Sequence, residues 1–370
     1  MELWMYGIDR KNKKESLMFL KQIGIMNVVT GYDPEAAKLA SDLNMNIYFC
    51  SGAYGISGYE DKDEYKAVDV NGKNQIWFNS SCPNNEQIRQ KTINNIDKWA
   101  DNSDIKGVFI DGARFSSPCS SNDTDSFFTC FCPVCMKKAA SLGYDPEKMH
   151  NDVLKLYEIL KKGSRKNIGY LSGVTDVLSL LTVYKGVFDW FDFKRVCTTE
   201  FLLEFSKTVR LKAKTSGIFI FTPSLSCMVG QNYSDLSEHI GIFSPMIYRS
   251  YKSKQGPACL NRELESIAGM ISCICNNNDS KTLKLLSSLT GLPLENYNGL
   301  KELGEGLSED IINVETIKTV DITGNKEKII PIILLEDNNL LRCISEVEKA
   351  GVNKIMFFLY NKSLIERYLV

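Results

Sequence analysis

Short runs of apolar, β-branched and aromatic residues recur along the chain, each followed by a polar loop and then by a stretch of helical periodicity. Eight stand out: LWMYGI from Leu3, NVVT from Asn27, NIYFC from Asn46, GVFID from Gly107, GIFIF from Gly217, GIFSPMIY from Gly241, IIPIILL from Ile329 and KIMFF from Lys354. They are apolar at nearly every position, as strands covered on both faces are. Between them, KESLMFLKQIG, DPEAAKLASDLN and LLRCISEVEKAG space apolar residues as one face of a helix, and the first and last end in the Gly that closes many helices. Alternating β and α units imply a parallel sheet. Eight units predict an α/β fold, a closed (β/α)8 TIM barrel forming a single domain over residues 1–370, in preference to an open doubly wound sheet.

The connections are uneven. Long loops are expected after the third, fourth and sixth strands, the second an insertion over 112–215 and the third an insertion over 248–328. All three follow strand C-terminal ends, where barrel enzymes build their sites. Within the last, CNNNDSKTLKLLSSLTGLPLENYNG is the most linker-like stretch of the chain. No internal repeat is visible.

Composition narrows the function. With 44 Lys+Arg against 45 Asp+Glu in 370 residues, the net charge is −1, and nucleic acid is not an expected partner because phosphate neutralisation needs a basic stripe. The N-terminal MELWMYGIDRKNKK is too short in apolar residues and too soon charged for a secretory leader, and no apolar run reaches the roughly 20 residues that span a bilayer. A cytoplasmic chain with no membrane partner is expected, and its oligomeric state is not legible in the sequence. Twelve Cys stand beside two His. In a reducing compartment, clustered cysteines are metal ligands more often than bridges.

Cys130, Cys132 and Cys135 form C-x-C-x-x-C in FFTCFCPVCMKKA, ahead of a helical run. Three thiolates so close can converge on one tetrahedral ion, with a fourth ligand from elsewhere: Cys82 in NSSCPNNEQIRQK first, Cys119 in FSSPCSS second. A site closed by four sulfurs is structural, and zinc is the expected ion. The competing reading is a set of buried free thiols. Cys273 and Cys275 diverge at helical spacing and read as core, and the remaining cysteines are assigned no role.

CFCPVC followed by a helix, with a Cys upstream, resembles the zinc cluster of the β-galactosidases of glycoside hydrolase family 42. There a similar C-x-C-x-x-C after the fourth barrel strand joins a Cys from the loop after the third. Cys82, 130 − 82 = 48 residues before Cys130, falls in the matching loop. The resemblance covers about a sixth of the chain and implies a glycosidase barrel with a structural zinc.

The fourth run ends in Asp111, then Gly112 and Arg114. An acid at the C-terminal end of a barrel strand, backed by a Gly, stands where barrel enzymes keep catalytic groups. The segment resembles the D-G strand of hypothetical glycosyl hydrolase-like barrels. SPMIY resembles the M-x-Y strand end of chitinase-like barrels, although the D-x-x-D-x-D-x-E motif of chitinases is absent. The seventh run ends in Glu336 and Asp337. Glycosidases commonly work with two carboxylates, one protonating the leaving oxygen and the other attacking the anomeric carbon or activating water. Acids after strands four and seven resemble the layout of the large retaining clan of barrel glycosidases, which has Asn-Glu where this chain has Ile110 and Asp111.

Each candidate has a plainer alternative. Asp111 either acts in catalysis or pairs with Arg114 or caps a turn. Glu336 and Asp337 either act or answer the dipole of the next helix. Asp9 binds sugar hydroxyls or solvates a loop, and Tyr248 and Arg249 form a sugar platform or fill core. SGAYGISGYE lacks the spacing of a phosphate cradle, and two isolated His give no triad or His-rich metal site. The leading expectation is a glycoside hydrolase-like barrel acting on a carbohydrate, with Asp111 as acid then base and Glu336 as nucleophile or water-activating base, and with no catalytic cofactor. Against it stand a non-catalytic carbohydrate- or protein-binding barrel, and a sugar isomerase or lyase with a divalent metal near Asp9 and Asp111.

Overall fold

The structure is a computed structural model that describes residues 1–121, 124–162, 182–251 and 259–370. Parts of both expected insertions, residues 122–123, 163–181 and 252–258, lie outside the described residues. Among the described residues ten strands follow in chain order: β1 (Glu2–Tyr6), β2 (Asn27–Thr30), β3 (Asn46–Gly52), β4 (Ala67–Val68), β5 (Asn74–Gln75), β6 (Gly107–Asp111), β7 (Thr215–Ile220), β8 (Ile242–Pro245), β9 (Ile332–Leu334) and β10 (Lys354–Phe358). Eight of them form one parallel sheet in the spatial order β8-β7-β6-β3-β2-β1-β10-β9. Its two edges meet: Ile330 N–H donates to Phe243 O at 2.9 Å and Ile247 N–H to Ile332 O at 3.0 Å. The (β/α)8 barrel read from the eight apolar runs is the fold.

Why the runs are continuously apolar is visible in how alternate residues are partitioned. Trp4, Tyr48, Phe109, Phe219, Ile332 and Met356 pack together inside the barrel. Their neighbours in sequence, Met5, Ile47, Phe49, Val108, Ile110, Ile218, Ile333 and Phe357, pack outward against the helical layer. Both faces are thus largely removed from water, and a polar residue buried there finds a partner, as Ser244 does by donating to Ile330 O at 2.7 Å. The interior is tight enough that a Cβ on Gly217 would meet the Phe109 ring at 2.6 Å, so only glycine leaves room for that ring.

The helices begin where the sequence supplies caps. Asp33 accepts from Ala36 N–H ahead of Pro34–Asp42, Asn85 from Ile88 N–H ahead of Glu86–Ala100, and Asn361 from Leu364 N–H ahead of Lys362–Tyr368. The linker-like stretch near residue 280 is instead a helix, Asp279–Thr290, started by Asn278 and stopped by Gly291 at φ 66°. Its polar composition disguised an amphipathic segment whose Leu283 and Leu286 are buried. The antiparallel pair β4–β5 lies in the loop between β3 and β6.

Candidate active site and cysteine centre

Strand alternation carries Asp111 to the inner rim of the barrel. Phe109 faces inward and Ile110 outward, so Asp111, at the C-terminal end of β6, faces inward again, and Gly112 at φ 69° turns the chain away behind it. The same alternation brings Tyr6 to the end of β1 and Cys50 near the end of β3, where Gly52 is in register with Asp111. Tyr248 follows β8 and is buried. These groups feel one another. Burial pushes the Asp111 carboxyl up, partly offset by the nearby Arg114 guanidinium and the Gly112 backbone. Tyr6 is pushed up, first by Cys50 and then by burial and Asp111, and Tyr248 by burial and then Asp111. Among the described residues, Asp111 has no ion-pair partner within 4.0 Å, so the expected alternative of an Asp111–Arg114 salt bridge is not formed. A carboxyl desolvated beside two phenols, with no cation in ion-pair contact, is shifted toward its protonated form.

Arg114 is buried, donates to Phe115 O at 2.9 Å, and lies over the Phe221 ring at 4.7 Å. Glu336 is exposed two residues past β9 and acts electrostatically on Tyr251 and Cys259. Asp337 is buried and accepts from Arg249 at 2.6 Å, while the same guanidinium meets Glu309 at 3.0 Å and donates to Leu307 O. Arg249 therefore stands between two carboxylates in the wall behind Glu336. Asp9 accepts from Lys11 N–H, Asn12 N–H and the Asn12 amide, which hold its carboxyl below the usual range, and it lines a pocket of about 400 Å³ beside Tyr360. Tyr248 packs its ring 5.6 Å from that of Phe358.

One buried acid escaped the sequence reading. Glu263 accepts from Ser117 Oγ at 2.5 Å and Cys119 N–H at 2.9 Å, and burial pushes it up despite Arg114 nearby. Its signal lay in the helix Leu260–Ser272, where position 263 falls on the same stripe as Leu260, Leu264 and Ile267.

The four expected cysteines converge. Cys82, Cys130, Cys132 and Cys135 are all buried, and their sulfurs lie within 4.8 Å of one another. Pro133 at the first position of Pro133–Ser141 starts the helix immediately after Cys132, so Cys135 comes one turn later on the same side. Cys82 is delivered by a turn in which its N–H donates to Tyr65 O and its carbonyl accepts from Asn85 N–H. The two loops are stitched together: Phe131 N–H donates to Val68 O at 2.8 Å and Val70 N–H to Phe128 O at 3.0 Å. Cys119 is not in the cluster, which resolves the fourth position in favour of Cys82.

Sulfur separations of 3.5 Å from Cys82 to Cys132 and to Cys135, and 3.7 Å to Cys130, fit a tetrahedral ion. A metal–sulfur bond of ~2.3 Å gives a tetrahedral edge of about 3.8 Å. Val68 N–H and the Asn84 amide also point at sulfur, to Cys130 at 3.4 Å and Cys135 at 3.2 Å. Hydrogen bonds from Cys130, Cys135 and Cys82 hold the Cys132 thiol down. The cluster can hold a metal ion.

A (β/α)8 barrel with a desolvated carboxyl at its C-terminal rim and a four-sulfur centre tying two rim loops is the class of molecule this chain defines. No family model matches it, and no curated protein does. Among solved structures, it is similar to the catalytic domain of a β-amylase from Paenibacillus polymyxa, with 10% identity, 99% of this chain and 97% of that one covered, and a TM-score of 0.56. It also matches a β-galactosidase from Marinomonas ef1 (9% identity, 97% and 54% covered, TM-score 0.49) and a GH18 chitinase from Pseudoalteromonas aurantia (10%, 99% and 98%, 0.45). The β-amylase likeness agrees with the barrel fold.

Proposed function

We propose that this chain is a glycoside hydrolase-like barrel acting on a carbohydrate, with Asp111 as general acid and then base. The observation that carries this reading is Asp111 itself: inward-facing, desolvated, free of any ion pair among the described residues, and flanked by Tyr6 and Tyr248. Protonation of a glycosidic oxygen needs a carboxyl that holds its proton more tightly than a free one, and burial shifts Asp111 in that direction. Glu336, exposed at the same face, is the partner that attacks the anomeric carbon or activates water. Tyr248 and Arg114 line the substrate side of Asp111. Asp9 and Arg249 are more peripheral, Asp9 reaching sugar hydroxyls and Arg249 holding the wall behind Glu336. Zinc in the cysteine centre is structural in this reading, because four sulfurs leave no position for substrate. Bound there, it supplies a cross-link between the loops after β3 and β6.

The test is release of reducing sugar from a panel of α- and β-linked oligosaccharides by the wild type, Asp111→Asn and Glu336→Gln. Cleavage by the wild type that both variants abolish, with folding intact, supports the assignment. Cleavage that survives both changes overturns it. Saturable sugar binding without cleavage transfers the site to a non-catalytic carbohydrate-binding barrel.

A further inference from the structure

The helix Lys185–Leu211 carries one residue that the glycosidase reading does not use. Lys194 is completely buried, on the same stripe as Trp190 and Cys197. Its ammonium lies 3.4 Å from the centroid of the Trp190 ring and 4.7 Å from that of Phe127, and donates to Phe127 O at 3.2 Å. Among the described residues it meets no carboxylate within 4.0 Å. An ammonium removed from water and left with one carbonyl and aromatic faces is costly unless an anion stands nearby.

The nearby anion is the cysteine centre. Burial pushes the Lys194 ammonium well below its ordinary range, and the negative charge of Cys130 acts the other way, favouring the charged form; the acceptor Phe127 is three residues before that ligand. One turn earlier on the helix, Trp190 Nε1–H donates to Thr129 O at 3.0 Å, next to Cys130. The helix thus clamps the ligand-bearing segment at two points. Four thiolates around a divalent ion leave two negative charges uncompensated in a buried site. The groups that donate to the cluster's sulfurs, Val68 N–H and the Asn84 amide, are neutral.

We infer that Lys194 is the built-in counter-charge of the cysteine centre, an ammonium held in an aromatic box so that a tetrathiolate divalent ion can be buried there. The inference rests on the reading that the four cysteines hold a metal. It assigns a positioning and charge-balancing role to a residue that touches no substrate. Groups beyond the ligands themselves typically change metal affinity by about 10- to 100-fold.

The experiment compares the intact wild-type chain with Lys194→Met, which keeps the length and removes the charge, and Lys194→Arg, which keeps the charge. Zinc content is read by native mass spectrometry, affinity by competition with a chromophoric chelator, and coordination by the thiolate charge-transfer bands of the Co2+-loaded chain. Lys194→Met is expected to bind zinc and Co2+ about 10- to 100-fold more weakly, with Lys194→Arg nearer the wild type. Failure of Lys194→Met to fold at a zinc level where Lys194→Arg folds and loads counts the same way. Wild-type affinity in Lys194→Met, or damage in Lys194→Arg equal to that in Lys194→Met, overturns the inference. A wild-type chain that binds neither metal instead sinks the metal reading itself, a separate result.

Discussion

Replacing Cys82 by alanine isolates what the cysteine centre does for the fold. Cys130, Cys132 and Cys135 lie within 135 − 130 = 5 residues, so an ion held by those three alone restrains little chain. Cys82 is the long-range ligand, and its link to Cys130 closes a loop of 130 − 82 = 48 residues. Treated as a cross-link, closing such a loop removes unfolded-state entropy equivalent to about 4 kcal/mol at 25 °C. Spread over 370 residues of unfolding entropy, that is a fall in Tm of about 5 °C. The assay is thermal unfolding followed by circular dichroism, with and without a strong chelator. The wild type should lose about 5 °C on chelation. Cys82→Ala should start lower by that amount and respond little to chelator, and Cys119→Ala, outside the cluster, should behave as the wild type does. Equal chelator shifts in the wild type and Cys82→Ala would refute the reasoning, since the long loop would then not be what the ion closes.

Three further outcomes follow from the rim. Asp111→Asn should abolish cleavage yet raise stability at neutral pH. The native carboxyl has a pKa above its unfolded value, so the native state binds more protons in that interval and stability falls as pH rises through the raised pKa. The amide removes that dependence, and urea unfolding at several pH values reads it. The alkaline limb of kcat/KM should track deprotonation of Asp111 and vanish with the residual activity of the amide variant. Arg249→Met should lower stability by about 3 kcal/mol, because Asp337 would be left buried without its cation, while Glu309 keeps Arg342 at 3.4 Å. Denaturant midpoints check this, and an unchanged midpoint would mean that Asp337 finds another partner.

The barrel was legible because its strands are buried on two faces, which writes eight apolar runs into the chain. The cysteine centre was legible because three of its ligands are local and Pro133 marks the start of the helix between two of them. What stayed hidden depended on pairing at a distance. Lys194 and Glu263 look like surface charges on amphipathic helices, and only the packing of Phe127 and Trp190 around one, and of Ser117 and Cys119 against the other, makes them interior. Their positions on apolar stripes were the available signal, weaker than the general rule that Lys and Glu face water. Arg249 was read at the rim from its place after β8. Its two carboxylate partners, 60 and 88 residues further on, were beyond any local pattern.

The two rim acids are held by separate devices, and this has a measurable consequence. Asp111 ends β6, whose neighbour is β3, and the loops leaving these adjacent strands are the two that the cysteines tie together. Glu336 follows β9, three strands further round by way of β7 and β8, and the wall behind it is set by Arg249 with Asp337 and Glu309. Among the described residues, none takes part in both arrangements. Independent sites add in free energy to within about 0.5 kcal/mol, whereas groups in one network couple more strongly. The double variant Cys82→Ala/Arg249→Met should therefore lose the sum of the two single losses in denaturant unfolding. Coupling well beyond that margin would show that the rim behaves as one mechanical unit, and that the cysteine centre helps place Glu336 as well as Asp111.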